Sequence, residues 1–178
     1  MSKNLKKLNK YFSDFKILID DYNLNEISKL LKKLKNFKKK IIIFGNGGSA
    51  NIANHIANDL TNASKLKAIS FSDIGIITCY TNDYGFDNWV TKAIEYHYEK
   101  GDIVVLISSS GMSMNMVKAA AKCKREKKYF VTLSGFSKKN KLFRYGNCKF
   151  HVNSNSYNYV ELAHMQILMS IVDLVKKK

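Results

Sequence analysis

From residue 40 onward, short apolar runs alternate with stretches of helical periodicity, and that alternation constrains the fold more than any other feature. The runs are IIIF at 41–44, a short segment near 67–71, VVLI at 104–107, YFVTL at 129–133 and a weaker strand near 148–152. Helical stretches fall at 49–62, 73–79, 86–98, 112–127 and 157–176. Strands that are apolar throughout need cover on both faces, and strands followed by helices form βαβ units. The expectation is an α/β fold, a doubly wound parallel sheet flanked by helices. Ahead of it, Leu5, Leu8, Phe12 and Phe15, then Ile27, Leu30, Leu31 and Leu34, recur every three or four residues. That spacing predicts helices over 1–22 and 24–38. No linker-like stretch interrupts the chain, so 1–178 reads as a single domain: N-terminal helices over 1–38 and an α/β core over 40–178.

Composition narrows the function classes. No apolar run approaches the roughly 20 residues that span a bilayer, and the basic start MSKNLKKLNK lacks the apolar stretch of a signal peptide. Cys79, Cys123 and Cys148 have no metal-type spacing and cannot all pair within one chain, which suits a reducing compartment. A cytoplasmic protein is expected. The net charge of +16 would suit a nucleic-acid partner, but Arg125 and Arg144 are the only arginines. Base readout and bidentate phosphate contacts usually use arginine, so the charge reads as solvated lysine surface, compatible with a small anionic substrate.

In doubly wound sheets ligands bind beyond the carboxyl ends of the strands, where loops lead into helices. Two such loops stand out. The first, GNGGS at 45–49, offers Asn46, Gly47, Gly48, Ser49 and the free amides of a helix start. It lacks GxGxxG and GK[ST] spacing, so alone it fits either a phosphate cradle or a structural turn. The second, SSSGMSMN at 108–115, carries Ser108, Ser109, Ser110 and Ser113. One serine suffices for a helix cap; four can surround a phosphate. Together the loops point to a phosphorylated small molecule.

His55 and Asp59, four apart, share a helix face beside the first loop, as an acid/base pair, a metal-ligand pair or a solvated face. Glu161 and His164 form a similar pair on the last helix. His55, Asp59 and Glu161 together could bind a zinc-type ion. His97 and His151 have no comparable partner. Asn82-Asp83-Tyr84-Gly85-Phe86-Asp87 reads as a polar loop entering a helix, in which Asp83 touches a sugar hydroxyl or shapes the turn.

FGNGGSANIANHIANDL, CYTNDYGFDNW, GDIVVLISSSGMSMNMVKAA and the long helix after Tyr157, in that order, resemble the sugar isomerase (SIS) domain. Within it the chain is similar to the phosphoheptose isomerases, which interconvert sedoheptulose 7-phosphate and D-glycero-D-manno-heptose 7-phosphate. The resemblance implies a phosphate held by Ser49, Ser108, Ser109 and Ser113, with Ser109 at the family's threonine, and Asp83 near the sugar, often from a neighbouring subunit of a homotetramer. It implies isomerisation through a cis-enediol, with Asp59 as base, Glu161 or a metal-bound water serving the other oxygen, and His55 orienting or ligating.

Besides Ser109, the chain departs from the family at four places. Asp59 replaces a glutamate, Glu161 a glutamine, Asn158 an aspartate, and Met169 the catalytic, metal-binding histidine. A thioether passes no proton and is a poor zinc ligand. A second reading is therefore a non-catalytic SIS module that binds a sugar phosphate or a protein partner, as the replication-initiator-associating relatives do.

Overall fold

The structure, a computed structural model, describes residues 2–176. Helices α1 (Lys3–Asp20) and α2 (Leu24–Leu34) precede β1 (Lys40–Phe44), α3 (Gly48–Asn62), β2 (Lys67–Ser70), α4 (Ile74–Tyr84) and α5 (Trp89–His97). There follow β3 (Ile103–Ser108), α6 (Met114–Arg125), β4 (Tyr129–Gly135), β5 (Cys148–Val152) and α7 (Tyr157–Val175). A 3-10 turn at Leu142–Arg144, which no periodicity signals, sits between β4 and β5.

All strand pairs are parallel, in the order β2-β1-β3-β4-β5. The strands alternate their side chains between two cores. Ile41, Ile43, Ile103, Val105, Val131 and Leu133 pack under α2, α3 and α7, while Ile42, Phe44, Val104, Leu106 and Phe130 pack under α5 and α6. Every residue of β3 is buried, as a central strand covered on both faces requires. The α/β expectation therefore holds, element by element, with shifts of a few residues at the ends.

One expected loop is helix instead. Asn82, Asp83 and Tyr84 form the last turn of α4, because the chain breaks only at Gly85, whose φ of 78° ends the helix and whose amide donates to the Thr81 carbonyl. α1 is the least integrated helix: none of its residues is buried, and its apolar face reaches the rest of the molecule chiefly through Phe15 and Leu18.

Candidate active site

β1 and β3 are neighbours, with Phe44 opposite Leu106. The chain runs outward to β2 on one side of this pair and to β4 and β5 on the other, so a crevice opens where the winding reverses. Both small-residue loops leave the sheet there. In the first, Gly47 takes φ 53°, and a Cβ on Gly45 would stand 2.7 Å from the Ala50 nitrogen and closer still to the Ser49 carbonyl. Only glycine fits both places, and the tight turn that results delivers the start of α3 to the crevice without a side-chain cap.

In the second loop Ser113 occupies the N-cap position of α6 but caps nothing; its hydroxyl accepts from Ser108 Oγ at 3.0 Å. Ser110 Oγ accepts from the Met112 amide at 3.2 Å and so shapes the turn. A reciprocal amide pair joins the loops: Asn46 Nδ2 donates to Asn115 Oδ1 at 3.0 Å, and Asn115 Nδ2 donates to Asn46 Oδ1 at 2.9 Å. Between the loops lies a cradle of about 130 Å³, lined by Asn46, Ser49, Ile107, Ser108, Ser109, Ser110, Ser113, Tyr157 and Glu161. Hydroxyls and helix-start amides suit a phosphate there, and no lysine or arginine lines the cradle.

The structure thus gathers Asn46, Ser49 and all four serines of the second loop, with Gly47 and Gly48 shaping the rim. Sequence reasoning missed Asn115, which is fully buried, and Tyr157. An asparagine at the second position of a helix was the available signal for the first; nothing local marks the second.

His55 Nε2 lies 3.2 Å from Asp59 Oδ2, both side chains about half exposed. At 100° per residue, Gly48, Ile52, His55 and Asp59 fall within about 60° of one another around α3. The pair therefore stands on the helix face that begins at the cradle, about 9 Å (His55) and 15 Å (Asp59) along the axis from Ser49. A shallower depression of about 360 Å³ shares Glu161 with the cradle and is lined also by Tyr11, Ile52, Asn158, Leu162 and Met165. It leads from the cradle along the seam of α3 and α7.

Other expected groupings do not form. Glu161 is turned toward the cradle, with Oε1 3.5 Å from Ser109 Oγ and its carboxylate against Gly48, so it does not join His55 and Asp59. No cluster of three histidine, cysteine, aspartate or glutamate side chains suited to a metal occurs among the described residues. With Met169 exposed on α7, the donor set does not fit zinc. Nor does Glu161 pair with His164. His164 is fully buried, neither ring nitrogen has a hydrogen-bond partner, and burial pulls its pKa down to about 4. The Ser134 backbone offsets part of that effect without making a bond of ordinary geometry. Asp83 lies on exposed α4, accepts from Asn82 Nδ2 at 3.0 Å and does not line the cradle of its own chain. His97 meets the Tyr80 hydroxyl at 3.2 Å and His151 the Phe136 carbonyl at 3.2 Å, both structural contacts.

Known proteins share this fold. The SIS domain family matches residues 10–135. A phosphoheptose isomerase of Fusobacterium nucleatum is 34% identical over 170 residues, covering 91% of this chain and 87% of that protein. The structure of a phosphoheptose isomerase from Francisella tularensis superposes with a TM-score of 0.86 at 26% identity, covering 99% of this chain and all of the other. The Neisseria gonorrhoeae phosphoheptose isomerase, at 21% identity and a TM-score of 0.87 over 98% of this chain and all of the other, shares the fold. The likeness extends well beyond the two serine loops, from the first helix to the last, and the chain belongs to the SIS domain family.

Proposed function

We propose that the protein is a phosphosugar isomerase of the phosphoheptose type, converting sedoheptulose 7-phosphate to D-glycero-D-manno-heptose 7-phosphate through an enediol. One observation carries the reading: two serine loops form a single anion cradle at the start of the helix that bears the His55–Asp59 pair. The names of the relatives support it. The span from Ser49 to the pair suits a substrate with several carbons between its phosphate and its reacting carbons.

In this reading Ser49, Ser108, Ser109 and Ser113 bind the phosphate, and the sugar extends along α3. Asp59 takes a proton from C1, and the C–H electrons form the C1–C2 double bond. His55 gives a proton to O2 and receives one from O1; Asp59 then returns its proton to C2, leaving an aldose. Glu161 walls the phosphate end. None of these steps runs through a metal.

The finer assignments belong to the same proposal. The chain works as one domain, in the cytoplasm, as a homo-oligomer of the tetrameric kind. Three free cysteines fit a reducing compartment, and no helix among the described residues is long and apolar enough to cross a membrane. The exposed apolar face of α1, with Leu8 at 53% and Phe12 at 66%, is what a subunit contact would cover.

The test is proton NMR of the purified protein with sedoheptulose 7-phosphate in deuterated water. Formation of aldose carrying solvent deuterium is expected. Substrate that binds yet neither converts nor exchanges its C1 proton would overturn the isomerase and leave a sugar-phosphate-binding SIS module.

A further inference from the structure

The amino-terminal ends of the strands, about 20 Å from the cradle along β4, carry a second concavity of different character. It has a volume of about 400 Å³ and lies between the end of α6, the start of β4 and the turn before β5. Lys124, Lys127, Lys128 and Arg144 line it, with Phe130 and Tyr145 as apolar wall.

Its charge is not neutralised from within. Glu126, the neighbouring acid, is taken up by Lys128 at 2.7 Å and Lys122 at 3.0 Å. The Lys124 ammonium lies 5.6 Å from the centre of the Tyr145 ring and has no carboxylate partner among the described residues. Lys127 and Arg144 make no ion pair among the described residues. Three cations from two separate segments therefore face one hollow without a counter-charge, an arrangement that concentrates anions.

Solvated lysine at a helix end explains Lys124, which faces the negative pole of α6. It does not explain Lys127 or Arg144. Lys127 holds φ at 54°, the left-handed conformation that follows a helix and that glycine or asparagine ordinarily occupies. A lysine there sits in an unfavourable backbone state while placing its charge at the rim of the hollow. Arg144, one of two arginines in the chain, is carried to the opposite rim by the 3-10 turn.

We propose that this hollow is a second binding site, for a small polyanion of the pyrophosphate kind, free or as part of a nucleoside diphosphate. Arg144 would take one phosphoryl group through its planar fork, and Lys124 and Lys127 the other. Tyr145, which is partly exposed, supplies a surface for a ring where one is attached.

Isothermal titration of the full chain with pyrophosphate and, separately, ADP at 150 mM salt tests this (about 150 mM being the regime in which exposed charges are largely screened). Saturable binding is expected, weakened about tenfold in Arg144→Ala and again in Lys127→Gly, each loss being that of one charge-assisted contact. Lys127→Gly also suits the left-handed backbone, so lost binding in that variant is not lost folding. Tighter binding of ADP than of pyrophosphate would assign the ring to the aromatic wall; equal binding would assign recognition to charge alone. A Ser108→Ala, Ser113→Ala variant keeps the binding if the site is the hollow. Absence of binding, binding that disappears with the cradle serines instead, or binding of an oligonucleotide but of neither small anion would each overturn the proposal.

Discussion

The carboxylate of Glu161 rests against Gly48, so close that a Cβ at position 48 would lie 2.7 Å from its Cδ and Oε1. A residue near the start of α7 thereby places a negative charge at the mouth of the proposed phosphate cradle. A dianionic phosphate entering the cradle must overcome that charge or displace it. Glu161→Gln keeps the size and removes the charge, so KM for the sugar phosphate should fall about three- to tenfold, the scale of one partly screened charge contact. Steady-state kinetics check this, and an unchanged or higher KM would contradict it.

Two glycines of the first loop should respond differently to alanine. At Gly48 the added methyl meets the far end of a flexible glutamate, which can swing away, so Gly48→Ala should fold normally and mimic part of the Glu161→Gln effect. At Gly45 the methyl meets the backbone of Ser49 and Ala50, which cannot move without opening α3. Gly45→Ala should lose about 3 kcal/mol of stability or fail to fold, as urea denaturation would measure.

The Asn46–Asn115 pair holds the two loops at a fixed separation. Asn115→Ala leaves the Asn46 amide without its partner in a half-buried place, a loss of about 1–3 kcal/mol. Because the loops then part, KM should rise while the His55–Asp59 chemistry is untouched, giving a KM effect larger than the kcat effect.

Asp59 is the proposed base. Asp59→Asn should abolish deuterium exchange at C1 while phosphate binding persists. Asp59→Glu extends the carboxylate by one methylene toward the length found in the family. Since a misplacement of about 1 Å can cost on the order of a hundredfold, kcat should rise in that variant. A fall in kcat to the level of Asp59→Asn would remove the argument that reach limits the reaction.

His164 makes stability pH-dependent. Burial favours its neutral form, so between the ordinary value near 6.5 and the folded value of about 4 the unfolded chain binds more protons. Stability is therefore unaffected by this residue above pH 6.5 and declines as pH falls through the window, by up to about 3 kcal/mol. His151, also lowered by burial, acts in the same direction. The urea midpoint of His164→Leu, set against that of the parent chain, should decline less steeply between pH 6.5 and 4.

Much of the molecule was legible in local pattern. The runs at 41–44, 104–107 and 129–133 announced buried parallel strands, because residues covered on both faces leave no polar positions in the sequence. The glycines at 45 and 47 and the serines at 108, 109, 110 and 113 announced the loops, since tight turns demand small residues at fixed places. Helix ends were less legible: Asp83 read as loop but belongs to α4, because a single glycine two residues later sets the stop.

What the sequence alone determined, then, was the order of elements, the two small-residue loops and the four-residue spacing that brings His55 to Asp59, all of which depend on neighbours along the chain. Tertiary structure decided the rest. It joined Asn46 to Asn115 across 69 residues, buried His164 without a partner, and set Glu161 against Gly48 instead of beside the His55–Asp59 pair. Those outcomes depend on how α7 packs against α3 and how two strand ends align. Helical periodicity shows which face of α7 Glu161 occupies, but only the packed neighbour shows what that face meets.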